Sequence, residues 1–397
     1  MVSLSKLLDQ GLRDAKCYEV FHPGRTCVEF QFGHSVYLIT KCIKYFLPIV
    51  TVPLIIKGRN LRKKHFRNAL NYYIELLVTG FLISQSVPIA QCGVRALSGK
   101  FTKGSFMFIP MILPTWVVCF TSARVARLFA ASMFQVTFEA ALRNGKNIIP
   151  RTLCKSKLIQ GLVFMTCSSF ILHAAQTCGI KALWIVKNIP RPTNSESDKC
   201  SHDGSCSRFC LKDLARNILI GIAIDLFKTI VLSFTKSKSF LNNLGKKIIK
   251  LNFPTTFFLA SYSCIYTITS CLLNRLNSTQ KFNAQSKHIT AAFLGGISYF
   301  IMPKLTILCY AITICIEISW KIFHRHSFQK NLKYIELLKK IPFHRIYTCL
   351  SAGYLVHTYI FRPESLSPMG LAIVKAFTGD RAPEMKADIY KFFKSIQ

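Results

Sequence analysis

Eight mostly apolar stretches recur along the chain, at 70–90, 105–121, 125–141, 158–186, 254–273, 288–302, 304–322 and 346–361. A helix needs about 20 such residues to cross a bilayer. The stretches predict an all-α fold: a polytopic helical membrane protein. Two further segments, 36–56 and 214–235, are interrupted, the first by Lys41, Lys44, Pro48 and Pro53, the second by Arg216, Asp225 and Lys228. A charge in lipid costs at least about 2.5–3.5 kcal/mol on insertion scales, so both read as amphipathic helices in the membrane interface.

Composition narrows the alternatives. With 51% hydrophobic residues, the chain has far too much apolar surface for a disordered protein. Sixteen cysteines in 397 residues are too sparse for a small disulfide scaffold. The charge is lopsided, 52 Lys+Arg against 17 Asp+Glu, and gathers in the linkers 57–67, 143–157, 236–250 and 323–345. These linkers fall on both faces of the expected bundle, so the positive-inside rule does not orient it. Anionic lipid head groups are the expected counter-charge, at about 1 kcal/mol per basic residue near the surface. A nucleic-acid partner is not expected, because no recognition module accompanies the charge. The first 30 residues hold no apolar run, so targeting is expected to use internal spans.

The two halves resemble each other at an offset of about 180 residues. Phe81-Leu82-x-Ser84 answers to Phe258-Leu259-x-Ser261, and Cys92-x-x-Arg95 to Cys271-x-x-x-Arg275. Thr166-Cys167 with His173 answers to Thr348-Cys349 with His357. Cys17, His22 and Cys27 answer to Cys200, His202 and Cys206. The common order predicts a duplication with four spans per half, the halves running parallel. The expected division is a Cys-containing segment 1–35, a first membrane repeat 36–186, a Cys-rich linker 187–213, a second repeat 214–361 and a tail 362–397. Repeats of this kind are frequent in transport proteins, whose site lies between the halves.

Three groups of residues are candidates for chemistry. Cys17, Cys27, Cys200, Cys206 and Cys210, with His22 or His202, offer thiolate and imidazole ligands of the kind zinc takes. No Cys-x-x-Cys pair is present, so the spacing favours disulfides or tertiary packing over metal. Glu139 and Glu317 fall in matching spans, with Arg127 twelve residues before the one and Lys304 thirteen before the other. Such intramembrane charges mark pathways by default; structural ion pairing is the preferred reading here. Ala291, Ala292, Gly295 and Gly296 make two small-xxx-small frames for close helix packing. No Gly-x-Ser-x-Gly, P-loop or His-Glu-x-x-His is present, and the contiguous Ser201-His202-Asp203 cannot make a triad by itself. Neither an enzyme nor a cofactor is expected.

An ordered set of motifs spans nearly the whole chain: Cys17-Tyr18-Glu19, His22-Pro23 and Cys27; Leu142-Arg143-Asn144-Gly145; Cys200-x-His202 with Cys206-x-x-x-Cys210; Ala292-Phe293-Leu294-Gly295-Gly296-Ile297-Ser298; and Arg362-Pro363. In this set the sequence resembles the transmembrane protein 135 family, also called peroxisomal membrane protein 52. The linker near 187–199 is short for that family and the tail diverges. The resemblance implies a multi-pass protein of peroxisomal or mitochondrial membranes. It also implies a role in lipid homeostasis and mitochondrial fission, with organelle-dynamics proteins as partners and no catalytic residues to carry over. The repeated halves also look like the mitochondrial translocase (Tim) channel family, at the level of fold alone. The alternative expectation is a channel or transporter for a lipid or small solute, with its path between the repeats.

Overall fold

The computed structural model describes residues 13, 15–57, 62–102, 104–180, 184, 202, 205–236, 253–275, 284–329 and 341–395. Among them are fourteen α-helices and no strand. In chain order these are α1 (Cys17–Val20), α2 (Cys27–Lys57), α3 (Lys63–Ser98), α4 (Ile109–Thr115), α5 (Ala123–Asn144), α6 (Ile148–Lys155) and α7 (Lys157–Thr177). They continue with α8 (Cys206–Lys236), α9 (Pro254–Arg275), α10 (Ala284–Gly295), α11 (Leu305–Gln329), α12 (Phe343–Phe361), α13 (Pro368–Phe377) and α14 (Ala382–Ser395). Five stretches are long and apolar enough to cross a membrane: α3, α5, α7, α9 and Leu305–Phe323 of α11.

Two of the expected spans are broken helices. Residues 105–121 divide into a π turn (Gly104–Phe108), α4 and a 3-10 turn (Trp116–Phe120). Pro110 and Pro114 explain the break, since each lacks the N–H that would continue the ladder. Residues 288–302 begin as α10 and tighten to a 3-10 turn over Gly296–Ile301 at the Gly295-Gly296 pair. Irregular backbone at membrane depth is tolerated only where protein or a water-filled cavity covers it. Tight packing supplies that cover: a Cβ on Gly296 would lie 2.7 Å from the Met165 Cα of α7, and one on Gly353 of α12 would lie 2.8 Å from the Phe108 carbonyl.

The chain forms two compact units, Met1–Gly145 with Lys339–Gln397, and Lys146–Leu338. Each is built on the same plan of contacts. In the first, α2 pairs lengthwise with α3, α3 packs on the broken helix of 104–120, and α12 packs on both that helix and α5. In the second, α8 pairs with α9, α9 packs on α10, and α7 packs on both α10 and α11. Both leading helices, α2 and α8, are 31 residues long.

This arrangement corrects the expected boundaries. The division into 36–186 and 214–361 assigned α7 to the first half and α12 to the second, whereas each packs in the unit built from the other half's helices. Apolar periodicity shows that one face of a helix is buried but not against which neighbour; side-chain fit decides that. Ser168 of α7 donates to the Ala292 carbonyl at 2.9 Å, and Tyr299 donates to Gln160 at 2.9 Å. The segment 362–397 is likewise no separate tail: Leu366, Val374, Phe377, Ala382 and Ile389 join the buried core of the first unit. Its Asp380 receives hydrogen bonds from Lys41 of α2, at 2.9 Å, and from the Tyr45 hydroxyl.

Local capping fixes where helices begin. Thr26 and Glu29 form a reciprocal box at the head of α2, Thr26 N donating to Glu29 Oε2 at 2.9 Å and Glu29 N to Thr26 Oγ1 at 3.3 Å. Hydrogen bonds from Thr26 hold the Glu29 carboxyl below its ordinary value. The head of α9 is capped from another helix: buried Asp225 of α8 accepts from Thr256 N at 3.0 Å and from Thr256 Oγ1 at 3.1 Å. Asp225→Ala is expected to destabilise the second unit by about 1–2 kcal/mol, as lost caps do, and Asp225→Asn by less. Thermal unfolding of the detergent-solubilised protein checks both; equal melting temperatures for the Ala variant and wild type would remove this role.

Candidate functional site

The chain opens on a short helix, a turn and the long helix α2, and this path brings together residues that a linear spacing rule does not connect. Cys17 lies at the head of α1, His22 in the turn, Cys27 at the head of α2 and Cys92 near the end of α3. Their ligand atoms all lie within 4.8 Å of one another. The Sγ atoms of Cys17 and Cys27 are 3.6 Å apart, and His22 Nε2 is 3.3 Å from Cys27 Sγ and 3.7 Å from Cys92 Sγ. Tetrahedral zinc, with Zn–S about 2.3 Å and Zn–N about 2.0–2.1 Å, sets sulfur–sulfur separations near 3.8 Å and sulfur–nitrogen separations near 3.6 Å.

The surroundings suit a ligand set. His22 Nδ1 lies 2.8 Å from the Arg25 carbonyl, and donating there leaves the Nε2 lone pair aimed at the sulfurs, the arrangement ligating histidines adopt. His22 itself is buried. Burial, and then the neighbouring Cys27 thiol, pushes the Cys17 thiol above its ordinary value. Arg95, one turn beyond Cys92, donates from Nε to the Ala15 carbonyl at 2.8 Å and fastens the segment from the other side.

The second unit repeats the cluster. His202, Cys206 at the head of α8 and Cys271 near the end of α9 also lie within 4.8 Å of one another, with Cys271 Sγ 3.4 Å from His202 Nε2. Cys200 lies outside the described residues. Cys210, one turn into α8, is not part of the cluster. None of the fifteen described cysteines is in a disulfide, and the 3.6 Å between Cys17 and Cys27 is far beyond a bonded pair at about 2.05 Å. Of the expected alternatives, a disulfide is absent among the described cysteines, and the geometry is that of packed thiols or of a ligand set. Cys92 and Cys271 were missed as members of the clusters, although their equivalence in the repeat was a legible signal.

The expected intramembrane charge pairs are also rearranged. Glu139 is fully buried and takes Arg143 Nη2 at 2.7 Å, and Glu317 takes Lys321 Nζ at 2.5 Å on an exposed surface. Each glutamate thus pairs one turn further along its own helix. Arg127 is exposed and donates to the Ala123 carbonyl at 2.9 Å, and Lys304 stands exposed at the head of α11. Twelve or thirteen residues of helix separate partners by about 18–20 Å, too far for direct contact. The small-residue frames do pack closely: Ala291 and Ala292 are fully buried, and a Cβ on Gly295 would lie 3.2 Å from Tyr266 Cβ.

The first unit also carries a groove of about 450 Å³, between α3 and the 3-10 end of the broken helix. Ile74, Val78, Leu82, Val117 and Phe120 make its apolar walls, and Asn71, Glu75 and Thr121 its polar end. Glu75 is already engaged, accepting from Ser122 N at 2.5 Å and Ser122 Oγ at 2.8 Å. Arg124 stacks 3.9 Å over the Tyr72 ring.

Fold and site together define a multi-pass helical membrane protein with a Cys/His cluster in each of two units. Comparison with protein-family models, curated proteins and solved structures finds no match.

Proposed function

We propose that this chain is an organelle-membrane protein of the transmembrane 135 type, acting in lipid homeostasis and in peroxisomal and mitochondrial dynamics, and that it handles lipid through the groove on its first unit. The groove carries the reading. Its volume falls in the range of about 300–1,000 Å³ typical of small-molecule sites, and apolar walls ending in a few polar groups match an acyl chain with its head group. Asn71 and Thr121 offer hydrogen-bonding groups for a polar head at that end. The walls continue into exposed apolar residues of α3, Leu70, Ile74, Val78 and Leu82, so a lipid can enter sideways.

The test is photocrosslinking of purified protein in lipid nanodiscs with a photoactivatable fatty acid. Labelling is expected within 71–82 and 117–121, and Val78→Trp, which fills the groove, is expected to reduce it about tenfold, the scale of losing some 1.4 kcal/mol of binding. Uniform labelling unchanged by the substitution would overturn the site.

A second reading, transport of a lipid or small solute, is favoured by the broken helices at 104–120 and 284–301. Short, Pro- or Gly-interrupted segments in corresponding positions of two halves are the usual mark of a transporter site. Reconstituted protein that moves no fatty acid, sterol or ion would remove it.

A further inference from the structure

We propose that the two Cys/His clusters are zinc sites, one in each unit, that fasten the start of the leading helix to the end of the helix it pairs with, the first of them a closed structural site. The first set is complete. Cys17, Cys27, Cys92 and His22 supply three sulfurs and one nitrogen, all within 4.8 Å of one another, and the Cys17–Cys27, His22–Cys27 and His22–Cys92 separations of 3.6, 3.3 and 3.7 Å are close to those around a tetrahedral zinc ion. A closed four-ligand set leaves no position for substrate, which makes the first site structural rather than catalytic; the second set supplies three ligands among the described residues. Binding is balanced by proton release: three thiols lose three protons as Zn²⁺ enters, and neutral His22 donates its Nε2 lone pair. The resulting site carries one net negative charge, in a segment that holds Lys16, Arg25 and Arg95.

The independent observation is the second cluster. His202, Cys206 and Cys271 occupy the matching places: the turn before a 31-residue helix, the head of that helix, and the end of the next. Thiol and imidazole groups thus converge at equivalent points of the two units. In each unit the cluster joins segments far apart in sequence, so that ion binding adds a cross-link the apolar contacts do not supply. Carboxylates are missing from both sets among the described residues, which favours a thiophilic ion such as zinc over magnesium or calcium. The thiolates also require a reducing compartment on this face of each unit, since oxidation would consume the ligands.

The experiment is zinc quantification on the full chain, purified in detergent with reductant and without chelator. Two zinc ions per chain are expected, released by a mercurial that caps the thiolates. Cys92→Ser and Cys271→Ser are each expected to lose one ion, and the double variant both, while Cys119→Ser, outside both clusters, keeps two. Because a cluster variant can fail to fold, the wild type is also exchanged with Co²⁺, whose visible absorption reports tetrahedral thiolate ligation directly. Zinc-free wild type together with no thiolate–cobalt spectrum would overturn the proposal, as would full zinc retention in the double variant. Neither outcome bears on lipid labelling of the groove, so the two readings fail separately.

Discussion

Stripping the metal with a strong chelator is expected to loosen the N-terminal segment before it disturbs either bundle. Structural zinc contributes about 10–16 kcal/mol of apparent binding free energy in small zinc-dependent folds, far more than any one contact of this segment. Without the ion, the segment before α2 keeps the packing of α1 on α14 and α3, that of Phe21 on Phe101 and Phe106, and the Arg95–Ala15 hydrogen bond. Lys16 and Arg25 lie on exposed backbone beside the ligands. Limited trypsin digestion is therefore expected to cut there at least about tenfold faster in the chelated protein, since local opening that loses 1.4 kcal/mol of protection changes by that factor. Adding zinc back is expected to restore resistance, and magnesium is not. Equal digestion rates with and without chelator would show that the cluster holds no stabilising ion.

Gly296→Leu is expected to destabilise the second unit strongly, by about 3 kcal/mol. A Cβ at this position would lie 2.7 Å from Met165 Cα and 2.9 Å from Met165 Cγ. The first of these is backbone, so no rotamer change relieves the overlap and α7 must move away from the 3-10 turn. That movement would pull Phe164 from Tyr299, with which it stacks at 5.0 Å, and Gln160 from the Tyr299 hydroxyl. Gly93→Ala is the control. A Cβ there meets nothing within 4 Å, and replacing a helical glycine by alanine is worth roughly 0.5–1 kcal/mol in the stabilising direction. Melting temperatures in one detergent should move in opposite directions for the two variants. A Gly296→Leu protein that melts like the wild type would contradict the close approach of α7.

Much of the helix inventory was legible because lipid solubility and helix length are properties of the sequence itself. The spans at 70–90, 125–141, 254–273 and 304–322, and 158–186 as far as Thr177, recur as apolar helices long enough to cross a membrane. The breaks at Pro110, Pro114 and Gly295-Gly296 were written in residue types known to interrupt helices, but hydropathy alone does not distinguish a broken span from a continuous one. The placement of α7 and α12 was not legible. Both are apolar with a buried face, and only three-dimensional fit, such as Gly353 meeting the Phe108 carbonyl, selects the partner.

The site shows the same division. Cys17, His22 and Cys27 stood out as a local group. Cys92 and Cys271 join their clusters because α3 and α9 run back along the leading helices, and that pairing is a tertiary fact. The Asn144 side chain shows how distant motifs become one feature: it donates to the Tyr354 hydroxyl at 3.1 Å and accepts from Ser365 at 2.5 Å. Leu142-Arg143-Asn144-Gly145 and the segment after Arg362-Pro363 are thus parts of a single joint.

The most direct test of the lipid-handling account is lipid composition of isolated peroxisomes and mitochondria. It is measured in cells lacking the chain and in the same cells given back either wild type or Val78→Trp at equal abundance. The account predicts that loss shifts the acyl composition of at least one of these membranes and that only the wild type restores it. Unchanged lipids on loss, or full restoration by Val78→Trp, would contradict it.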